Sequence, residues 1–265
     1  MQGSARSLWK RLSILATVSL ALILGLLSPL AWVKDPTPPK VYSTALGESR
    51  RVTLSPHAVA QLNTDTTLVV ANSPAHCDIA LTSGEALFEI RPDDLHKVRV
   101  TAGHVTLDTD ASTFAVRLHD PDHVEVLVRK GDVKLEATAS TPDSAYPTQT
   151  IGLVANQSAH VLAARVMLKK FNDSEVRRRL AWTSGYLSFR GETLDEVAEE
   201  FNRYNPQRLV VADKRLGRLR IGGKFHSTDP EGFAAALRPM GVRRLATGAG
   251  DGGLIRLVSA RDEAR

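Results

Sequence analysis

One uninterrupted apolar segment constrains this chain more than any other feature. Residues 12–33 (LSILATVSLALILGLLSPLAWV) contain no charged side chain and directly follow Lys10 and Arg11. A bilayer core of ~30 Å needs about twenty apolar residues in a helix, so this segment predicts one transmembrane helix. The basic flank predicts a cytoplasmic tail at 1–11, which makes this an inner-membrane protein with the bulk of the chain in the periplasm. A cleaved signal peptide is the competing interpretation, although its apolar region is usually shorter.

Charge and cysteine content narrow the classes of partner. The net charge is +5, and Cys77 is the single cysteine, so an internal disulfide is impossible. Basic clusters in the second half would ordinarily suggest nucleic acid. The predicted topology places these clusters outside the cytoplasm, so we expect no nucleic-acid partner. The simplest interpretation of the clusters is a solvated surface without a partner. The functional interpretation is that they bind an acidic protein face or anionic lipid.

The next part of the chain reads as a β-rich domain. A proline-rich linker at 34–40 is followed by short runs of β-branched and apolar residues over 41–164. Apolar and charged residues alternate strictly in the segment 133–137, which is the period of a half-buried strand. Turn residues at 83–84 and 130–132 are predicted to separate successive strands. A β-sandwich and a β-solenoid both fit this spacing.

From residue 165 to residue 265 the pattern predicts a small α+β domain in the order β-α-β-β-α-β-β. Thr193 and Glu196 have the spacing of a capping box at the start of an amphipathic helix. Asp229 followed by Pro230 predicts the start of a second helix. The predicted fold is therefore mainly β, with one transmembrane helix before it and a small α+β domain after it.

The sequence offers no convincing catalytic or metal-binding constellation. His119 and His123 flank an acidic turn, which is explained more simply as a turn than as a metal site. Cys77 neighbours His76, but adjacent residues of a strand point to opposite faces and so do not form a dyad. We therefore expect no enzyme, no metal and no cofactor.

Several short motifs occur in a characteristic order. They are Thr44–Glu48 (TALGE), Gly84–Ile90 (GEALFEI), Thr113–Arg117 (TFAVR) and Gly131–Val133 (GDV). Together they resemble the FecR family of inner-membrane signal transducers, with Gly84, Glu85, Phe88, Phe114 and Gly131 at the positions of the family motifs. The segment 165–265 is similar to the family's C-terminal domain, which resembles the short N-terminal domain of secretins and TonB-dependent receptors.

The resemblance implies a protein that relays a periplasmic signal and does not turn over a substrate. It implies contact with the signalling domain of a TonB-dependent outer-membrane receptor, often during iron uptake. It also implies contact with an extracytoplasmic-function (ECF) sigma factor, directly or through a separate chain. We expect the basic clusters to offer the receptor-binding surface. The candidate residues are Arg177, Arg178, Arg179, Arg203, Tyr204 and Arg220.

Two departures from the family pattern have consequences. The residues 1–11 ahead of the predicted anchor are too few for the cytoplasmic anti-sigma domain usual in the family. A membrane-anchored periplasmic scaffold without a sigma-factor link is therefore the alternative function. Many members also cut themselves at a Gly-Thr pair, where this chain has Ala111 and Ser112. Ser112 keeps a hydroxyl that can attack the preceding carbonyl, whereas Ala111 lacks the backbone freedom of glycine; an ordinary strand residue is the simpler interpretation of Ser112.

Overall fold

The computed structural model describes residues 38–72, 76–92, 97–139, 147–245 and 253–260. The predicted tail at 1–11, the predicted transmembrane segment 12–33 and most of the linker lie outside the described residues. Within the described ranges, no helix is long and apolar enough to cross a membrane. The residues from Pro38 onward belong to one compact unit.

Twelve of the described strands form one continuous hydrogen-bonded assembly, which confirms that the chain is mainly β. They are β1 (Lys40–Ser43), β2 (Arg50–Ser55), β3 (Ala58–Leu62), β4 (Thr67–Asn72), β5 (His76–Ile90), β6 (Lys97–Ala102), β7 (Val105–Thr109), β8 (Ser112–Asp120), β9 (His123–Ala137), β10 (Gln149–Val154), β11 (Gln157–Leu162) and β12 (Arg165–Lys170). Because β12 pairs with β11, this assembly continues to Lys170, past the domain boundary predicted at residue 164.

Two long strands divide this assembly into two sheets. The first half of β5 pairs with β4 and β6, whereas its second half pairs with β3 and β8. In the same way, β9 pairs with β8 and β11 in its first half and with β7 and β10 in its second. Strands that pass from one sheet to another form the corners of packed sheets. Among the pairings of these twelve strands only β5–β6 is parallel. We call the two packed sheets the sandwich.

The turns predicted at 83–84 and 130–132 are wrong, because the backbone continues there as strand. Gly84 lies inside β5 with a φ of 83°, and Gly131 lies inside β9 with a φ of 73°. A glycine with left-handed backbone bends or bulges a strand without reversing it. A Cβ on Gly84 would also clash with the backbone of Asp65 and with Thr66, so this adjoining segment fits only against glycine.

The inner faces of the two sheets form one apolar core. Phe88 and Phe114 are fully buried and stack with their ring centroids 5.4 Å apart. Leu68, Leu107 and Leu135 from the other sheet are likewise fully buried in this core. Strand alternation places these residues inward and their neighbours outward.

The C-terminal part, from residue 173 onward, contains the predicted order β-α-β-β-α-β-β, with one short helix ahead of it and another short helix within it. Its helices are α1 (Asp173–Arg179), α2 (Leu194–Asn202), α3 (Lys214–Gly217) and α4 (Pro230–Ala236), and 3-10 turns span Ala181–Ser184 and Arg238–Met240. Its strands are β13 (Tyr186–Thr193), β14 (Arg208–Val211), β15 (Arg220–His226), β16 (Val242–Leu245) and β17 (Leu254–Ser259). These strands form a β13–β15 pair and a three-stranded sheet in the order β14-β17-β16.

The helix signals in the sequence are confirmed. The Thr193 side chain accepts a hydrogen bond from the Glu196 backbone N–H, and the Glu196 side chain accepts one from the Thr193 backbone N–H. This capping box satisfies free N–H groups in the first turn of α2. Asp229 caps α4, with Pro230 at its first position. The apolar stripe of α2 is buried and comprises Leu194, Val197, Ala198 and Phe201.

Candidate functional site

The C-terminal part packs against the outer face of the sheet that contains β3, β5, β8 and β9. Leu87 pairs with Ala115, which pairs with Leu127, so the three side chains form one row across β5, β8 and β9. All three are buried in a second core cluster, together with Trp182 and other apolar residues of the C-terminal part. The row joins the C-terminal part to the sandwich through apolar burial.

Beside this row, two arginines and two glutamates form a chain of ion pairs across the contact. Arg203 Nη2 lies 3.0 Å from Glu85 Oε2, and Arg203 Nη1 lies 2.6 Å from Glu200 Oε1. Arg117 Nη1 lies 3.0 Å from Glu200 Oε2. These side chains are between 11% and 25% exposed, so water screens them only partly. We call these four residues the interface network; their charges balance.

Neutral side chains extend the interface network. Asn63 Nδ2 donates to Glu85 Oε2 at 2.9 Å and to Tyr204 Oη at 2.7 Å. Thr64 Oγ1 donates to the Arg203 carbonyl at 3.0 Å and accepts from the Gly47 N–H at 2.8 Å. The loop after β3 is thereby tied to the C-terminal end of α2. A buried polar network of this kind fixes the relative placement of the elements that it joins.

The pKa values in the interface network follow from burial and charge together. Burial alone would lower the pKa of Arg203, but Glu200 and Glu85 outweigh it and raise that pKa. Burial alone would raise the pKa of Glu200, but Arg203 and Arg117 outweigh it and lower that pKa. Burial, with the nearby Glu85 and Glu200, raises the pKa of Tyr204. Arg203 and Glu200 therefore remain ionised at neutral pH, and Tyr204 remains a neutral phenol.

The residues of the sequence motifs have structural roles around this contact. Phe88 and Phe114 stack in the core, whereas the buried Glu85 of β5 binds Arg203 of the C-terminal part. Gly84 and Gly131 allow the bends of β5 and β9. The motif around residues 84–90 thus supplies the bend, a core aromatic ring and the charge that binds the C-terminal part.

Residues 40–134 match the family model described as FecR protein. They form a FecR domain. The fold is similar to two crystal structures of a "putative anti-sigma factor" from Parabacteroides distasonis, at 1.65 and 2.50 Å resolution. Each has 20% sequence identity and a TM-score of 0.64, and each match covers 83% of this chain and 99% of the other. At 20% sequence identity, this similarity is evidence for the fold alone. A search of curated proteins gave no significant match.

A second set of charges joins helix α1 to the FecR domain and to β13. Arg179 Nη1 lies 3.1 Å from Glu125 Oε1, and its guanidinium lies over the Phe171 ring at 4.4 Å from the centroid. His160 Nε2 lies 3.4 Å from the same Glu125 oxygen. Arg178 Nη1 lies 2.5 Å from Glu192 Oε1. Glu125 therefore contacts both His160 of β11 and Arg179 of α1. These contacts extend the row of charged side chains along the sheet.

A cleft of about 400 Å³ lies between these two groups of charges. Arg117, Glu125, Arg179 and Glu200 line one part of it, and the ring of Trp182 lines another. Among the described residues no group of three or more metal-ligating side chains comes together, in this cleft or elsewhere. The acid and base side chains here are paired with one another, so the geometry is that of a polar contact between parts of a protein.

The six predicted partner-binding residues fall into two groups. Arg178, Arg179, Arg203 and Tyr204 make internal contacts, as described above. Arg177 is exposed on α1, and Arg220 is exposed on β15 with its guanidinium donating to the Gly191 carbonyl at 2.9 Å. Receptor binding by any of the six remains a prediction. Sequence reasoning did not find Asn63, Arg117 and Glu200. The charged Glu85 directly before the apolar run 86–88 is the signal that could have indicated the contact.

The predicted self-cleavage pair lies where β8 begins. Ser112 is buried, and its hydroxyl has no hydrogen-bond partner among the described residues. A Cβ on Gly131 would clash with the Ala111 carbonyl oxygen, so only glycine at this position permits the close approach of the two strands. Ala111 is not among the described non-glycine residues with positive φ. An ordinary strand residue therefore stays the simpler interpretation of Ser112.

Proposed function

We propose that this chain is a FecR-type signal transducer that regulates a sigma factor. In this proposal residues 12–33 anchor it in the inner membrane, and the FecR domain and the C-terminal part lie in the periplasm. The C-terminal part receives a signal from a TonB-dependent receptor, and the information passes to an ECF sigma factor directly or through a separate chain. The FecR domain at 40–134 and the fold shared with the Parabacteroides protein support this role.

The observation that carries the proposal is the interface network between the FecR domain and the C-terminal part. Arg203, from the end of α2, binds Glu85 of β5, and Glu200 of α2 binds Arg117 of β8. A partner that shifts α2 must therefore also disturb two strands of the FecR domain. Coupling of this kind requires an element whose position both parts influence, and α2 fits that requirement. The proposed activity is transmission of a binding event without turnover of a substrate.

The test is sigma-dependent transcription in the native host. Deletion of the chain should change the transcript level of one ECF-sigma regulon, and expression of the full chain should restore it. The variant Arg203→Ala should leave the protein in the membrane but weaken the response to the inducing signal. Arg51→Ala, which removes an exposed ion pair to Glu89 on β5, is the matched control and should respond as wild type. If no ECF-sigma regulon changes on deletion, the sigma-factor role is wrong and the scaffold function replaces it.

A further inference from the structure

The three-stranded sheet of the C-terminal part has two different faces. On one face, Leu209, Ile255 and Leu257 are buried in the same core cluster as Phe201 of α2 and Phe233 of α4. Because side chains alternate along a strand, their neighbours lie on the opposite face. That opposite face is exposed or half-buried. We call it the open face, and it comprises Arg208, Val210, Arg243, Leu245, Leu254, Arg256 and Val258.

Strand register arranges the open face as alternating arginine and aliphatic side chains. Arg256 of β17 pairs with Val210 on one side and with Leu245 on the other. Arg243 pairs with Val258, so the next row has the opposite order. Val210 is 39% exposed. Each guanidinium is thus bordered by apolar surface.

The charge of the open face has one sign. None of its seven residues is acidic, and Arg208 and Arg256 form no ion pair with any described residue. Arginine presents a planar fork that binds carboxylates in a bidentate manner, and it is enriched at protein interfaces together with apolar contacts. We propose that the open face docks an acidic surface of a protein partner, with carboxylates over the arginines and aliphatic side chains between them.

This proposal deepens the proposed function, on which it rests, by giving the partner's chemistry and the surface that binds it. It differs from the basic residues predicted from sequence, because most of those residues are occupied by internal contacts. Three strands ~4.8 Å apart form a small area, so we expect an interaction that is weak and sensitive to salt. The aliphatic side chains between the arginines are short and would insert little into a lipid bilayer. The open face therefore suits a folded protein surface better than a membrane.

The test uses the full chain in nanodiscs of neutral phosphatidylcholine, with poly-L-glutamate as the acidic probe at low salt. The variant Arg208→Glu/Arg256→Glu reverses two charges of the open face. The control Arg165→Glu/Lys170→Glu makes the same charge change at two exposed positions of β12. A milder variant, Arg208→Gln/Arg256→Gln, guards against loss of folding, which circular dichroism monitors in every sample.

We expect the open-face reversal to weaken probe binding at least about tenfold, because two charge-assisted contacts become repulsive. The glutamine variant should show a smaller loss, and the β12 control should change binding less than about twofold. Equal losses in the two reversal variants would show that only net charge matters and would overturn the proposal. The wild type could instead bind phosphatidylglycerol vesicles in preference to poly-L-glutamate and lose that binding only on open-face reversal. This result would assign the face to lipid and would also overturn the proposal.

The sigma-dependent transcript is measured separately on the same variants. A regulated transcript together with unselective probe binding would leave the proposed function standing and reject the open face. Selective probe binding without any regulated transcript would support the open face as an acidic-protein site and reject the sigma-factor role.

Discussion

Removal of Arg203 is the most direct test of how the FecR domain and the C-terminal part are joined. Arg203→Ala leaves Glu85 and Glu200 facing each other without the guanidinium that lies 3.0 Å and 2.6 Å from them. Breaking a buried ion pair from one side costs about 3–5 kcal/mol, because the remaining charge stays desolvated. The two glutamate side chains are 11% and 23% exposed, so partial hydration reduces the expected cost to about 2–3 kcal/mol.

The assay is thermal unfolding of the full chain in detergent, followed by far-UV circular dichroism. For a unit of this size each kcal/mol lowers the melting temperature by about 2–4 °C, so Arg203→Ala should lower it by about 4–12 °C. The control Arg51→Ala removes a pair whose side chains are 55% and 39% exposed, and it should cost about 0–1 kcal/mol. The double variant Glu85→Gln/Arg203→Ala should recover part of the loss, because it removes one unpaired charge.

The pH dependence gives a second reading of the same variant. The folded pKa of Glu200 is lowered, so its contribution to wild-type stability is fully present above the unfolded pKa, near 4.5, and is lost as pH falls through the folded pKa. In Arg203→Ala, Glu200 keeps Arg117 but loses the larger of the two charges that lower its pKa, so it is protonated at a higher pH than in the wild type. The difference between variant and wild type should therefore shrink on acidification below about pH 4.5. A loss below about 1 kcal/mol at neutral pH, or a difference independent of pH, would refute the argument that the interface network joins the two parts.

Three further predictions test other parts of the structure. Gly131→Ala should lower the free energy of unfolding by more than about 2 kcal/mol, because φ at Gly131 is 73° and the new methyl group would meet the Ala111 carbonyl. The control Gly152→Ala has open space around the new methyl group and should change it by less than about 0.5 kcal/mol, as measured by urea unfolding. Terminal-peptide mass spectrometry should find uncut chain in wild type and in Ser112→Ala alike, because Ala111 lacks the left-handed backbone; a new terminus at Ser112 that the variant lacks would contradict this. Burial raises the pKa of the Cys77 thiol to about 11, so maleimide near neutral pH should label the unfolded chain but not the folded one.

Local elements of this fold were predictable because their signals lie within a few residues. The capping box of Thr193 and Glu196 and the proline after Asp229 fix where two helices begin, whatever surrounds them. Alternation over 133–137 likewise reports a half-buried strand directly. Gly84 and Gly131 were misassigned as turns because glycine in sequence signals backbone freedom, and only the neighbouring strands decide whether that freedom reverses the chain or bends it.

The contact between the two parts belongs to tertiary structure alone. Arg203 and Glu85 are 118 residues apart, and nothing near either residue in sequence indicates the other. Their meeting depends on β5 passing between the sheets and on α2 packing over its outer face. The sequence by itself therefore determined the elements, the motifs of the FecR domain and the excess of positive charge. Which arginines are enclosed by glutamates and which remain on an open face was decided by packing, because pairing at long range depends on the whole path of the chain.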